Sequence, residues 1–467
     1  MITRLSSDSR RCAPGTAFFA YPGEKADGRA HIGDAIGRGA SGVLWDGAGF
    51  SWQADWRVPN VAVQDLKQKA GTLASVFYGR PSQSLWMCGV TGTNGKTSCS
   101  QWIAHALQSA GSRTAVIGTI GSGYPGNLGE GANTTPDALE LQAMLARFRD
   151  EGALSVSMEV SSHGLVQGRV NGVRFACALF TNLSHDHLDY HGSMQAYAEA
   201  KARLFEMPGL ETAVLNLDDA LGEALARRLA KRVRTIGYSL RAVPAALVDE
   251  WLSLDAAALQ LSSSRGSAKL VTRQLGAFNL HNVLGVMGCL LARGISFGDA
   301  VRLVADLPDV AGRMEQVGDR PLVVVDYAHT PDAIEKVLHA LRPSARERGG
   351  RLVIVFGAGG DRDAAKRPVM GAVAAKLADH VVVTSDNPRS EDPARIIDAI
   401  AKGIDREVQL EPDRKRAIEA AVLAAAPNDV VLIAGKGHES YQEIEGRRFA
   451  FSDQAVARAA LAMRGDR

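Results

Sequence analysis

The sequence predicts a three-domain α/β protein built on mainly parallel sheets, and three observations predict it. At 467 residues the chain is too long for one hydrophobic core. From Leu85 onward, short apolar runs alternate with helical patterns, as in parallel sheets covered by helices. Pro81 and Leu307-Pro308-Asp309 interrupt that alternation and divide the chain into residues 1–84, 85–309 and 310–467. Composition narrows the function classes. Apolar residues make up 46% and charged residues 22%, ordinary values for a soluble globular protein. A formal net charge of +2 offers no electrostatic footprint, so no nucleic-acid partner is expected. No run is long and apolar enough for a membrane span, and Arg4, Asp8, Arg10 and Arg11 are unlike a signal peptide. The five cysteines (Cys12, Cys88, Cys99, Cys177, Cys289) are scattered along the sequence without metal-type spacing, which fits reduced thiols in the cytoplasm.

In the first segment, apolar runs at Ala17–Tyr21 and Gly42–Trp45 flank a helical pattern over His31–Arg38. The loops Ser7-Asp8-Ser9-Arg10 and Gly23-Glu24-Lys25-Ala26-Asp27-Gly28-Arg29 are polar, and by residue type alone they read as solvated loops. The second segment opens with the most informative stretch, Val90-Thr91-Gly92-Thr93-Asn94-Gly95-Lys96-Thr97. An apolar run, Leu85 to Val90, precedes it, and a helical pattern, Ser98 to Ala110, follows. Strand, glycine turn and helix make the context of a phosphate-binding loop, or P-loop. Backbone N–H groups of the turn ring an anion, and the helix dipole favours it. Lys96 supplies a cation for the β and γ phosphates, and the Thr97 hydroxyl suits Mg²⁺. Val90 stands where the usual motif has its first glycine.

Further runs at Ala115–Gly118, Leu154–Glu159, Ala176–Asn182, Ala213–Asn216 and Arg234–Gly237 extend the central sheet, with helical patterns at Asp137–Arg149 and Met194–Phe205. The stretch from Arg241 to Leu275 reads as short antiparallel strands. Polar clusters lie just past the apolar runs: Glu159 leads into Ser161-Ser162-His163-Gly164, and Thr181-Asn182 into Ser184-His185-Asp186-His187-Leu188-Asp189. In open parallel sheets ligands bind beyond the carboxyl ends of strands. Taken singly, Glu159 reads as a strand-end carboxylate and His187 as a loop histidine; taken together beside a P-loop, they are equally candidates to approach it and hold Mg²⁺. Lys201 reads as a surface lysine on a helix, and Asn279 as an N-cap.

The third segment carries apolar runs at Leu322–Asp326, Leu352–Phe356, His380–Thr384 and Val430–Ala434. Each leads at once into a polar or glycine-rich cluster: Asp326-Tyr327-Ala328-His329, Gly357 to Asp363, Ser385-Asp386-Asn387-Pro388-Arg389, and Gly435-Lys436-Gly437-His438-Glu439. Four clusters on one edge of a Rossmann-like sheet predict a binding rim. Arg362, Arg389 and Glu439 would give it two cations and a carboxylate, which suits an amino acid.

Together these residues resemble the Mur ligase family of ATP-dependent amide-forming enzymes, over nearly the whole chain. Thr91 to Thr97 is similar to that family's ATP loop, and Met158 to Leu165 and Thr181 to Gly192 to its central signatures. Asp386-Asn387-Pro388-Arg389 is like the motif that marks 2,6-diaminopimelate, rather than lysine, as the added amino acid. The resemblance implies a monomer with three domains: a UDP-substrate domain, a central ATPase, and an amino-acid domain. Its substrates would be ATP, diaminopimelate and UDP-N-acetylmuramoyl-L-alanyl-D-glutamate. It implies nucleotide contacts at Gly92, Thr93, Asn94, Gly95, Lys96, Thr97, Ser98, Asn279 and Arg313. UDP-substrate contacts would fall at Ser7, Ser9, Glu24, Lys25, Ala26, Asn133, Thr134, Thr135, Ser161, Gln167 and Arg169. Glu24-Lys25 stands where some relatives carry His-Gln, and Ser7 where others carry Leu. Diaminopimelate contacts would fall at Arg362, Asp386, Asn387, Pro388, Arg389, Gly435 and Glu439. Lys96, Glu159, His187 and Lys201 would be catalytic, and Thr97, Glu159, His187 and Lys201 would face Mg²⁺. Lys201 matches a lysine carbamylated by CO₂, a change that turns a repelling ammonium into an anionic oxygen ligand. Rival readings are lysine addition, a folylpolyglutamate-type ligase, a P-loop switch ATPase and a non-catalytic nucleotide scaffold. The third-segment rim opposes the last two.

Overall fold

The computed structural model describes residues 1–24, 26–129, 131 and 133–465, so Lys25 lies outside the described residues. Packing divides the chain into two units, Met1–Val271 with His281–Leu307, and Thr272–Leu280 with Pro308 onward. The first two expected segments thus share one unit, and a helix absent from the sequence reading accounts for it. Leu66–Phe77 is a helix whose stripe of Leu66, Ala70 and Ala74 clusters with Ala138 and Leu139 of the following segment. Small residues let the backbones meet: a Cβ at Gly71 would lie 2.1 Å from the Asn171 carbonyl oxygen. Alanines and a glycine leave little apolar pattern to read, which hides the helix in the sequence. Before it, Arg4–Ser6, Thr16–Ala20, Gly42–Trp45 and Asn60–Ala62 form a four-stranded, all-parallel sheet in chain order.

The central sheet has eleven strands. Its parallel heart comprises β1 (Trp86–Thr91), β2 (Thr114–Gly118), β3 (Ser155–Glu159), β4 (Cys177–Phe180), β5 (Thr212–Asn216) and β6 (Arg234–Ser239). In space these run β6-β5-β4-β1-β3-β2. The chain reverses direction along the sheet next to β1, so the loop after β1 sits at the switch point where ligands bind. Helix α1 (Lys96–Ser109) follows that loop, α2 (Met194–Ala202) follows the polar segment after β4, and α3 (Ala277–Ala292) closes the segment. The stretch read as antiparallel is so only in part. Glu250–Asp255 pairs parallel with β6, and only then do Gln260–Ser263 and Gly266–Lys269 turn back antiparallel. Three of the five cysteines scattered in sequence converge in space. Register pairs Cys88 with Cys177 on neighbouring strands, and Cys289 from α3 brings its Sγ to 3.8 and 3.9 Å from theirs, all three fully buried.

In the second unit, β7 (Leu322–Asp326), β8 (Leu352–Phe356), β9 (His380–Val383) and β10 (Val430–Ala434) pair parallel in the spatial order β7-β10-β8-β9. Apolar runs without alternation belong to strands buried on both faces. Here Val324, Ile354, Leu432 and Val383 enter one core, and Val323, Val325, Val353, Val355, Val431 and Ile433 the other. A hairpin, β11 (Tyr441–Ile444) with β12 (Arg447–Ala450), lies beyond β10. Arg414 and Asp453 form a fully buried bidentate pair, with Nε to Oδ1 at 2.8 Å and Nη2 to Oδ2 at 2.7 Å. The same guanidinium donates to the Ser385 and Ala434 carbonyls at 3.2 and 3.0 Å, fixing the exits of β9 and β10. Among the described residues no helix is long and apolar enough to cross a membrane.

Removing one partner of that pair strands a buried charge. Asp453→Ala is expected to cost about 3–5 kcal/mol of stability, read as a lowered denaturant midpoint of the second unit.

Candidate active site

Val90, the irregular residue of the P-loop, lies inside β1, fully buried and paired in register with Glu159 of β3. The loop proper begins at Gly92, whose φ of +151° and crowding against Thr181 (1.8 Å from a built Cβ to Oγ1) admit only glycine. Gly95, at φ +84°, precedes the first turn of α1 and packs on Asn282. Thr93 N–H donates to the Asn182 carbonyl at 2.8 Å, and Asn94 N–H to Asn182 Oδ1 at 3.1 Å. Thr181 Oγ1 donates to the Asn94 carbonyl at 2.6 Å. The sequence cluster Thr181-Asn182 thereby shapes the loop. Thr97 and Ser98 are buried in the first turn of α1, where the helix dipole is positive.

Glu159 is 1% exposed. Its Oε2 accepts from Thr97 Oγ1 and Thr119 Oγ1, each at 3.0 Å, and its Oε1 from Thr119 N–H at 2.7 Å. Thr119, which sequence reasoning missed, is the first residue past β2, as Glu159 is the last residue of the neighbouring β3. Lys96 Nζ donates to the Gly92 and Thr93 carbonyls at 2.9 and 2.8 Å, and Lys201 Nζ donates to the same Gly92 oxygen at 2.8 Å. Lys201 is not a surface lysine. It is 1% exposed, with Nζ 4.2 Å from the centre of the Tyr197 ring. Burial, then the neighbouring charge of Lys96, pushes its amine well below the ordinary lysine range, against an opposing pull from Asp186. The helical pattern hides this because α2 buries a face of small residues, Ala200 and Ala202 among them. His187 has a φ of +53° and a 46% exposed side chain. Desolvation of its covered side holds the imidazole below its usual range; Asp186 opposes this, and Lys96 and Lys201 add to it. The Thr97 hydroxyl and the Glu159 carboxylate bonded to it are oxygen donors of the kind Mg²⁺ takes, and the His187 imidazole is a further candidate ligand.

Several expected UDP-substrate residues join this centre through one hydrogen-bond chain. Glu24 Oε1 accepts from Gln167 Nε2 and Tyr190 OH, both at 2.7 Å. Arg169 donates to Gln167 Oε1 and the Thr135 carbonyl, both at 2.8 Å. Thr135 Oγ1 donates to the Glu159 carbonyl at 2.9 Å and accepts from Ser161 N–H at 3.0 Å, and Thr134 Oγ1 meets Thr119 Oγ1 at 2.9 Å. Ser7, Ser9, Ala26 and Asn133 stand outside that chain among the described residues. Ser9 opens a 3-10 turn, the Ala26 carbonyl accepts from Gly23 N–H at 2.8 Å, and Asn133 lines a pocket with Pro136 and Glu140.

The rim of the second unit forms as expected, because β7, β10, β8 and β9 all end on one edge. Arg389 sits in the left-handed region at φ +52°. The hairpin holds it there: Arg389 N–H donates to the Glu443 carbonyl at 3.0 Å, and Glu445 N–H to the Arg389 carbonyl at 2.6 Å. Its Nη1 donates to the Gly360 carbonyl at 2.7 Å, next to the loop that carries exposed Arg362. Asp386, Asn387 and Pro388 are buried. Gly435, at φ +119°, leaves room for Asp386, whose Oδ2 would be 2.5 Å from a Cβ there. Glu439 Oε2 accepts from Asn387 Nδ2 at 2.7 Å. Arg313 stacks over Tyr327 at 4.3 Å. Asn279 is the third residue of α3, not its N-cap, and its Nδ2 donates back to the Leu275 carbonyl at 3.0 Å.

Comparison with known proteins agrees with this layout. Three family models match in tandem: "Mur ligase family, catalytic domain" over residues 1–78, "Mur ligase middle domain" over 90–290, and "Mur ligase, glutamate ligase domain" over 312–437. A UDP-N-acetylmuramoyl-L-alanyl-D-glutamate–2,6-diaminopimelate ligase from Janthinobacterium sp. is 50% identical, covering 98% of this chain and 94% of the relative. One of the same name from Pseudomonas aeruginosa is 50% identical over 99% and 95%. A solved structure of a ligase of that name superposes with a TM-score of 0.70 at 37% identity, covering 99% and 95%. Folylpolyglutamate synthase from Mycobacterium tuberculosis, at 18% identity and a TM-score of 0.63 over 85% of this chain and 95% of its own, shares the fold alone. The chain belongs to the Mur ligase family.

Proposed function

We propose that this chain is an ATP-dependent amide ligase that adds meso-2,6-diaminopimelate to UDP-N-acetylmuramoyl-L-alanyl-D-glutamate, releasing ADP and phosphate, in the cytoplasmic synthesis of peptidoglycan precursors. The observation that carries this reading is the chain-long identity of about one half to relatives of that name. The presence of Asp386-Asn387-Pro388-Arg389 on the rim supports diaminopimelate over lysine. Residues 1–84 grip the UDP end, 85–309 bind ATP, and 310–467 receive the amino acid, with the enzyme acting as a monomer.

The D-glutamyl γ-carboxylate attacks the γ-phosphorus of ATP, ADP leaves, and an acyl phosphate remains. The diaminopimelate amine then attacks the acyl carbon, phosphate leaves, and the amine sheds its proton. Phosphoryl transfer of this kind is catalysed by positioning and charge. The P-loop N–H groups and Lys96 bind the phosphates. The hydrogen-bond chain from Glu24 to Thr135 orients the UDP-dipeptide toward them. Mg²⁺, when bound, supplies charge neutralisation, and Thr97, Glu159, His187 and carbamylated Lys201 would hold it. Lys201 fits that modification because its buried amine is neutral at pH values where a free lysine, near 10.4, is protonated. The neutral amine adds to CO₂ and loses a proton. Arg362 and Arg389 suit the carboxylates of the incoming amino acid, and Glu439 its ammonium.

ADP release should require the UDP-dipeptide and diaminopimelate together and fall to background with lysine; equal release without any amino acid would refute the ligase reading. Lys201→Ala is expected to lower kcat by about 10²-fold or more, with partial recovery in acetate or formate. Wild-type protein stripped of CO₂ should regain activity with bicarbonate, and mass spectrometry should find the carboxylated lysine.

A further inference from the structure

We propose that Lys436 is a positioning residue for the amino-acid substrate, fixing Asn387 and Glu439 and setting the charge of the pocket they line; the proposal rests on the ligase reading above. Lys436 follows β10 and its side chain is completely buried, which is rare for lysine. Nζ donates to Asn387 Oδ1 at 2.9 Å and to Glu439 Oε2 at 3.1 Å, with Asp386 Oδ1 at 3.9 Å. Asn387 Nδ2 donates to the same Glu439 Oε2 at 2.7 Å. The three side chains close a triangle. Asn387 Oδ1 also accepts from Glu443 N–H at 2.9 Å, so the amide has one orientation only, with its oxygen on Lys436 and its nitrogen on Glu439. Glu439 Oε2 is thus occupied twice, whereas Oε1 takes no hydrogen bond among the described residues and the side chain keeps 18% exposure. That oxygen is the one left to receive a substrate ammonium.

Charge points the same way. Lys436 stands between two carboxylates, Asp386 and Glu439, and the group retains one net negative charge. One negative charge complements one ammonium. Without the lysine, Glu439 Oε2 loses one of its two donors and the two carboxylates lose the cation set between them, leaving the Arg414 guanidinium as the charge that acts on both. A methionine would fill the volume of the lysine, so packing alone does not call for an amine here.

The test measures KM for diaminopimelate, ATP and the UDP-dipeptide in full-length wild type, K436M, K436R and K436Q. Failure of the wild type to add diaminopimelate would sink the ligase reading itself. With that activity present, K436M should raise KM for diaminopimelate on the order of tenfold or more, the loss of one charged hydrogen-bond partner, and leave the other two KM values unchanged. K436R, which keeps charge and donors, should restore most of the difference. An unchanged diaminopimelate KM in folded K436M, or an equal loss for all three substrates, would overturn the proposal. Should K436M fail to fold, K436Q decides: a raised diaminopimelate KM supports the role, and a wild-type value removes it.

Discussion

The buried carboxylate of Glu159 is the point on which the first unit depends. A carboxyl group at 1% exposure needs hydrogen-bond partners inside the fold, and Thr97, Thr119 and the Thr119 backbone provide them. Those donors come from the helix after the P-loop and from the strand beside β3. The Glu159 main-chain oxygen then takes Thr135, which anchors Arg169, Gln167 and Glu24. Gly118 is required by the same group, since a Cβ there would lie 2.2 Å from Glu159 Oε1. One buried side chain therefore sets the geometry of the helix after the P-loop, the Thr119 turn and the loop from Thr135 to Arg169 together.

The second unit solves a similar problem with paired charges. Arg414 with Asp453, and Lys436 with Glu439 and Asp386, lie behind the rim and hold strand exits that would otherwise be loose loops. Buried ion pairs add little net stability against apolar replacements, but each fixes a direction. Here the directions fixed are those of the rim side chains Asn387 and Glu439.

Much of this was legible in the sequence, and the reasons differ by element. The four doubly buried strands of the second unit announce themselves as unbroken apolar runs, and the polar clusters that follow mark their carboxyl ends. The P-loop is legible because glycines, Lys96 and Thr97 have fixed spacing. Lys201 was not legible from its own residues, because a buried lysine and an exposed one look alike within a helix of small residues; only the resemblance to a family singled it out. Lys436 was missed for the complementary reason: its glycine-rich setting marks a turn, and nothing local announces that Asp386 and Asn387, from a distant segment, enclose it together with Glu439. The helix Leu66–Phe77 escaped because it packs by close approach of small residues, not by a broad apolar stripe.

The clasp between Arg389 and the hairpin has a consequence for how selectivity is inherited. A left-handed arginine is a costly conformation that survives only because Glu443 and Glu445 take both of its backbone groups. The four-residue signature is thus half of a two-part device whose other half lies more than fifty residues later in the chain. Transplanting Asp386 to Arg389 into a relative with a different hairpin would move the letters without the shape. Reshaping that corner of the rim therefore calls for changes in two distant segments together.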